Sequence, residues 1–317
     1  MRIDPHVHCR DGAQSYKETI AHVFKLCDEQ GVDMIFDMPN TDPPILTIKN
    51  VEKRLKLVPR SAIDRYRLYM GATANEKQLS NAVSIVRECQ HVVGLKLYAG
   101  QSVGDLAVTD DRKQQQIYEI LTGLDYQGVL AVHCEKEALI TKTFNPEEPH
   151  THSSARPITA EVASIKDQIH FAKKAGFKGT LHICHVSSES SLEIIKTARL
   201  HMTITCGVTP HHLLWSSAQS KGANGLLYKV NPPLREPSDT IALRQALKEG
   251  DIHWIETDHA PHPISEKLYP PYASGYPSLC LYQHLIEEIL PLWGLSDNII
   301  QNMTHKNIVE VFKLPSK

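Results

Sequence analysis

The chain has 317 residues, 41% of them hydrophobic and 22% charged, so a full core can be buried, and the length alone admits either two domains or one large α/β barrel. A formal net charge of −2 leaves no electrostatic footprint for nucleic acid. No apolar run is long enough to span a bilayer and no secretion signal opens the chain, so a cytoplasmic protein with neither nucleic-acid nor membrane partners is expected. Seven cysteines without a Cys-x-x-Cys pair argue against a disulfide framework or a zinc ribbon, and 18 histidines are the one unusual count.

The first strand is expected over 3–7. It carries His6 and the next residue out, His8, which share a face because successive strand side chains alternate; both can present nitrogens to one point. A helix over about 16–29 stops at Gly31. A strand at 33–38 and a helix near 48–57 follow, then a strand at 67–70 with a helix at 77–90, and a strand at 93–97 with a helix at 112–124. The fifth strand, 129–133, precedes a helix from about 160 to Gly176, and runs at 180–186, 202–206 and 253–257 bring the count to eight. This alternation predicts an α/β fold, a single-domain (β/α)8 TIM barrel over 1–317, with its site at the carboxyl ends of the strands.

Ionisable residues recur at those ends. They are His6, His8 and Arg10 after strand one, Lys96 in strand four, His133 in strand five, His182 and His185 in strand six, and Asp258, His259 and His262 after strand eight, with the polar but uncharged Asn40 after strand two. Taken singly, His133 and His185 could be hydrogen-bonded core histidines, Lys96 a lysine snorkelling from its strand and Asp258 a helix cap or half of a structural ion pair. As a set at one end of five strands they are costly to bury unless paired or bound to metal.

The words His6-x-His8 with Cys9-Arg10-Asp11-Gly12, Met38-Pro39-Asn40-Thr41, Gly94-Leu95-Lys96-Leu97-Tyr98, Ala155-Arg156-Pro157, Asn231-Pro232-Pro233-Leu234-Arg235 and Asp258-His259-Ala260-Pro261-His262 resemble the amidohydrolase superfamily and, within it, the dihydroorotases. The resemblance runs from residue 3 to about 312. It implies a hydrolase of cyclic amides with two zinc ions, bridged by Lys96 carboxylated on its amine, with His6, His8 and Asp258 on one ion and His133 and His185 on the other. An unmodified ammonium offers only donors and could not bridge.

The resemblance further implies Asp258 as general base and acid, and Arg10, Asn40, Asn231 and His262 as substrate contacts. Ser102 would be a lid residue in the small, polar stretch after strand four, for which a plain surface turn is the other reading. The reaction implied is reversible cyclisation of N-carbamoyl-L-aspartate to L-dihydroorotate in pyrimidine biosynthesis, with a homodimer or a complex with another pyrimidine-pathway enzyme as partner. A hydantoinase, an allantoinase and an inactive scaffold binding such an enzyme are the alternatives. His182 reads as structural, and one of His211 and His212 as a support for the site. Cys134, Cys184 and Cys206 read as small buried thiols, since Gly207 stands where a thiolate-bound zinc would need a carboxylate. The resemblance leads to the expectation of the barrel-only form, and the family's Gly-rich word after strand eight is altered to Gly275-Tyr276-Pro277-Ser278-Leu279.

Overall fold

Each apolar run and the amphipathic stretch behind it resolve into a strand followed by a helix. In the computed structural model, which describes residues 1–101, 106–141, 143–222 and 224–315, β1 (Ile3–Val7) leads to α1 (Ile20–Gln30), β2 (Met34–Asp37) to α2 (Ile48–Leu55), β3 (Tyr66–Gly71) to α3 (Glu76–Glu88) and β4 (Val92–Tyr98) to α4 (Asp111–Gly123). Next, β5 (Val129–His133) is followed by the short α5 (Thr151–Ala155) and the long α6 (Ile158–Ala175), and β6 (Thr180–Ile183) by α7 (Glu189–Arg199). Finally, β7 (Ile204–Val208) precedes α8 (Pro210–Leu214) and α9 (Pro237–Glu249), and β8 (Trp254–Ile255) precedes α10 (Ile264–Leu268). The strands are parallel and neighbour one another in chain order from β1 to β8, which is the expected (β/α)8 barrel.

The seam between β8 and β1 is where the barrel is thinnest, because β8 has only two ladder residues. Three groups close it. Val7 bridges His259 in parallel, the His8 N–H donates to the His259 carbonyl at 2.8 Å, and the buried Asp4 carboxylate accepts the Thr257 N–H and hydroxyl at 3.0 and 2.5 Å. The closing bonds therefore fall at the end of the barrel where His8 and Asp258 lie.

Element limits shift where local chemistry decides them. α1 starts at Ile20 rather than near residue 16, because Thr19 caps it by accepting the His22 N–H, while Asp11 accepts the Ile20 N–H and donates its own to the Glu18 carbonyl. β6 ends three residues earlier than expected, and His185 beyond it takes a left-handed φ of 38°. β7 lies two residues further along than expected, in register with Trp254 and Ile255 of β8.

The core has two parts. Between barrel and helices lies a large apolar layer, including Val7, Ile35, Leu95, Leu130 and Ile255. Inside the barrel, Ile3, Phe36, Tyr69, Ala131 and Trp254 pack on Ile308 and Phe312, which rise from the C-terminal helix Asn307–Val311 and its end. The Phe312 ring meets Phe36 edge-on at 5.0 Å between centroids, Trp254 at 5.7 Å and Tyr69 at 6.1 Å, so it is the floor of the barrel. Phe312→Ala is expected to lower the unfolding free energy by about 3 kcal/mol in urea denaturation, by lost burial and an unfilled cavity.

The segment after β8 is tied down by a buried amine. Lys267 Nζ donates to the carbonyls of Lys229 at 2.9 Å and Gly275 at 2.7 Å, and burial, helped by the nearby Lys229, lowers its pKa from 10.5 to about 7. A lysine whose folded pKa is depressed binds fewer protons folded than unfolded between those values, so stability rises with pH through that window. Unfolding free energies measured at pH 7 and pH 9 are expected to show this rise in the parent, and Lys267→Met to lack its share of it.

Candidate active site

Strand alternation puts Asp4, His6 and His8 on one side of β1 and its extension, and Glu256 and Asp258 on one side of the chain leaving β8, next door across the seam. His6 Nε2 and His8 Nε2 stand 3.4 and 2.9 Å from the same carboxylate oxygen, Asp258 Oδ1. His8 Nδ1 donates to Asn40 Oδ1 at 2.8 Å, which leaves Nε2 with a lone pair facing that oxygen. Lone pair against carboxylate is repulsive in isolation, and a cation between them reverses the sign. The donor set of His6, His8 and Asp258 thus fits a divalent cation, and its ligand atoms lie within 4.8 Å of one another.

The histidines continue as a row. Ring centroids of His8 and His6 are 5.4 Å apart, those of His6 and His185 5.2 Å, and those of His185 and His133 4.9 Å. Burial lowers the His6 pKa to about 4, with the Lys96 charge adding to it. Burial and then Arg10 hold His8 well below its ordinary value, and burial and then His133 do the same for His185. The three imidazoles are therefore neutral at pH 7, the form in which nitrogen can ligate. Burial raises the Asp258 carboxyl, against the pull of His6 and Lys96.

The cofactor expectation is corrected here. Two zinc ions bridged by a carboxylated Lys96 is not the arrangement found. Lys96 Nζ lies 2.9 Å from Cys184 Sγ and 5.2 Å from the Tyr98 ring centroid. The groups among the described residues whose ligand atoms converge are His6, His8 and Asp258, and His6, Cys184 and Glu256, and neither contains a lysine. In the pair expected on a second ion, His133 Nε2 donates to Glu135 Oε2 at 3.1 Å and His133 Nδ1 lies 3.2 Å from His185 Nε2, while His185 Nδ1 is buried without a hydrogen-bond partner. Glu135 is in turn clamped by Arg156, whose charge and hydrogen bonds, with those of His133, outweigh burial and hold its carboxyl far below the usual range.

Around this centre, Arg10 reaches His262 Nε2 at 3.2 Å, and His262 Nδ1 bonds Glu266 Oε2 at 2.8 Å, which Lys17 also approaches at 2.8 Å. Arg54 donates to Asp37 and to the Arg10 carbonyl, fixing the backbone where β1 meets the site. Arg10, His185 and Asp258 all hold positive φ, 53°, 38° and 47°, a conformation costing L-residues about 1–2 kcal/mol and concentrated at functional sites. Asn231 Oδ1 bonds His152 Nε2 at 2.9 Å, and Ser102 lies outside the described residues. His182 bonds Thr205 and Glu256. His212 bonds Thr209 and the Pro232 carbonyl, and His211 bonds Ser278.

Several residues here had no role in the sequence reading. Asp4 and Glu256 each stand two positions before a proposed ligand, so the same alternation that paired His6 with His8 already put them on its face. Cys184, read as an inert thiol, is the partner of Lys96.

No family model matches the chain. It is similar to the dihydroorotase of Pyrococcus horikoshii, 32% identical over 323 residues that cover 99% of this chain and 66% of that protein. The dihydroorotase of Staphylococcus aureus strain N315 is 32% identical over 279 residues, 84% of this chain and 62% of that protein. The chain thus spans less than two thirds of the length of these curated relatives. Its fold is that of the L-hydantoinase (dihydropyrimidinase) of Arthrobacter aurescens, with a TM-score of 0.84 and 22% identity over 98% of this chain and 70% of that one. It is also that of the dihydroorotase of Campylobacter jejuni, with a TM-score of 0.74 and 19% identity over all of this chain and 84% of that one.

If Asn40 orients His8, Asn40→Leu is expected to weaken divalent-cation binding by about 10- to 100-fold in a calorimetric titration, with the melting temperature little changed.

Proposed function

This chain belongs to the amidohydrolase superfamily, related to its dihydroorotase and hydantoinase members, and from that premise we propose that it is a cyclic amide hydrolase interconverting L-dihydroorotate and N-carbamoyl-L-aspartate in pyrimidine biosynthesis. The observation that carries the choice of substrate is Arg10. Arg10 is 2% exposed, makes no salt bridge among the described residues, and has an Nε without a hydrogen-bond partner. A buried cation with no carboxylate in direct contact is costly, and a substrate carboxylate would meet it with two parallel hydrogen bonds. A neutral hydantoin ring brings no such group.

In this reading Arg10, steadied by the His262 ring that Glu266 orients, holds the substrate carboxylate and so aims the ring carbonyl at the row of histidines. Asn231 is assigned the ring amide and Asn40 the orientation of His8. Asp258 takes a proton from the attacking water at a carboxylate oxygen and delivers it to the departing ring nitrogen, and in ring closure the same oxygen returns it. A divalent cation held by His6, His8 and Asp258 would polarise the scissile carbonyl and make the water more acidic. Two imidazoles and a carboxylate suit zinc. His133 and His185, bonded to each other, are assigned the wall facing His6 and no second ion.

The test is turnover of L-dihydroorotate against hydantoin by the same preparation. Dihydroorotate is expected to be the faster substrate, and Arg10→Gln to lower its kcat/KM by about 100-fold, the scale for losing one half of a buried charge pair. Faster turnover of hydantoin by the parent would overturn the substrate assignment while leaving the reaction class standing.

A further inference from the structure

Glu256 is held on every side. Its Oε1 accepts the backbone N–H of His185, its Oε2 accepts from His182 Nε2 at 3.0 Å and from Trp254 Nε1 at 3.1 Å, and Oε1 lies 3.9 Å from His6 Nδ1. That nitrogen is buried and has no hydrogen-bond partner. The space for the carboxylate is supplied by the neighbouring strand. A Cβ on Gly207 would lie 2.4 Å from Glu256 Cδ and 2.7 Å from each of its oxygens, closer than real atoms pack, so any side chain at 207 and this carboxylate compete for one volume.

We propose that Glu256 is a positioning residue, working from the room left by Gly207, that sets the orientation and tautomer of His6 and the backbone of His185 and is not itself an ion ligand. Three donors already occupy its two oxygens, leaving little lone-pair capacity for a cation. Its pull on His6 Nδ1–H keeps the proton on that nitrogen and the lone pair on Nε2, on the side of Asp258 and His8. Of the two overlapping groups that share His6, the one with His8 and Asp258 is then the cation site, and the one with Cys184 and Glu256 is its support. The inference rests on reading that first group as a cation site.

The experiment is titration of metal-free protein with Co²⁺ followed by absorbance, on the parent, Glu256→Gln and Gly207→Ala, with thermal melts confirming that each variant folds. Glu256→Gln keeps the shape but turns one acceptor into a donor, facing either His182 and Trp254 or the His185 N–H, and Gly207→Ala displaces the carboxylate without altering it. Both are expected to bind Co²⁺ at least about tenfold more weakly than the parent, with a changed visible spectrum. Parent-like affinity and spectrum in a folded Glu256→Gln would overturn the proposal. So would a sulfur-to-cobalt charge-transfer band in the parent, which would put the ion on Cys184. A parent that takes up no Co²⁺ fails differently, removing the cation site on which the proposal stands.

Discussion

The constraint on which the rest depends is the seam between the last strand and the first. With two ladder residues in β8, regular backbone pairing cannot hold the barrel shut, and the closure is completed by Asp4 on Thr257 and by the His8 N–H on the His259 carbonyl. Those same bonds fix the distance between the two halves of the candidate cation site, since His6 and His8 ride on one side of the seam and Asp258 on the other. Closing the fold and assembling the donor set are one event. Here Asp4 is a structural residue whose position has chemical consequences.

Elsewhere around the barrel, buried charge is handled by pairing. Arg54 meets Asp37, Arg156 meets Glu135, and Arg235 meets Glu161, each guanidinium also reaching a backbone carbonyl or hydroxyl. These pairs carry the backbone that presents the site, and breaking one would leave a buried charge uncompensated. Among the described residues Arg10 differs from them in having no carboxylate within salt-bridge distance, and that contrast among the rim arginines gives its assignment to substrate its weight.

Much of this was legible in the sequence, for physical reasons. Strand alternation follows from backbone geometry alone, so the pairing of His6 with His8, the eight apolar runs and the ends at which ionisable residues collect could be read without coordinates. What an amine touches could not. Lys96 lies 88 positions from Cys184 in sequence, and that they meet depends on the side-by-side placement of β4, β5 and β6. The expectation that Lys96 bridges two ions therefore came from resemblance and was corrected by packing. The start of α1 was misplaced because residues 16–18 have helical composition while Thr19 and Asp11 supply the cap. Gly207 was noted for a carboxylate it lacks, and the one beside it, Glu256, comes from the residue just past the next strand.

The position of Phe312 gives the molecule an order of assembly. All eight strands precede it in the chain, so during synthesis they emerge before the residue that fills their common floor, and the inner apolar layer of Phe36, Tyr69 and Trp254 stays open at one end until Ile308 and Phe312 arrive. A nascent chain stalled short of residue 308 would carry every candidate ligand and still expose the inside of its barrel, a surface suited to chaperones.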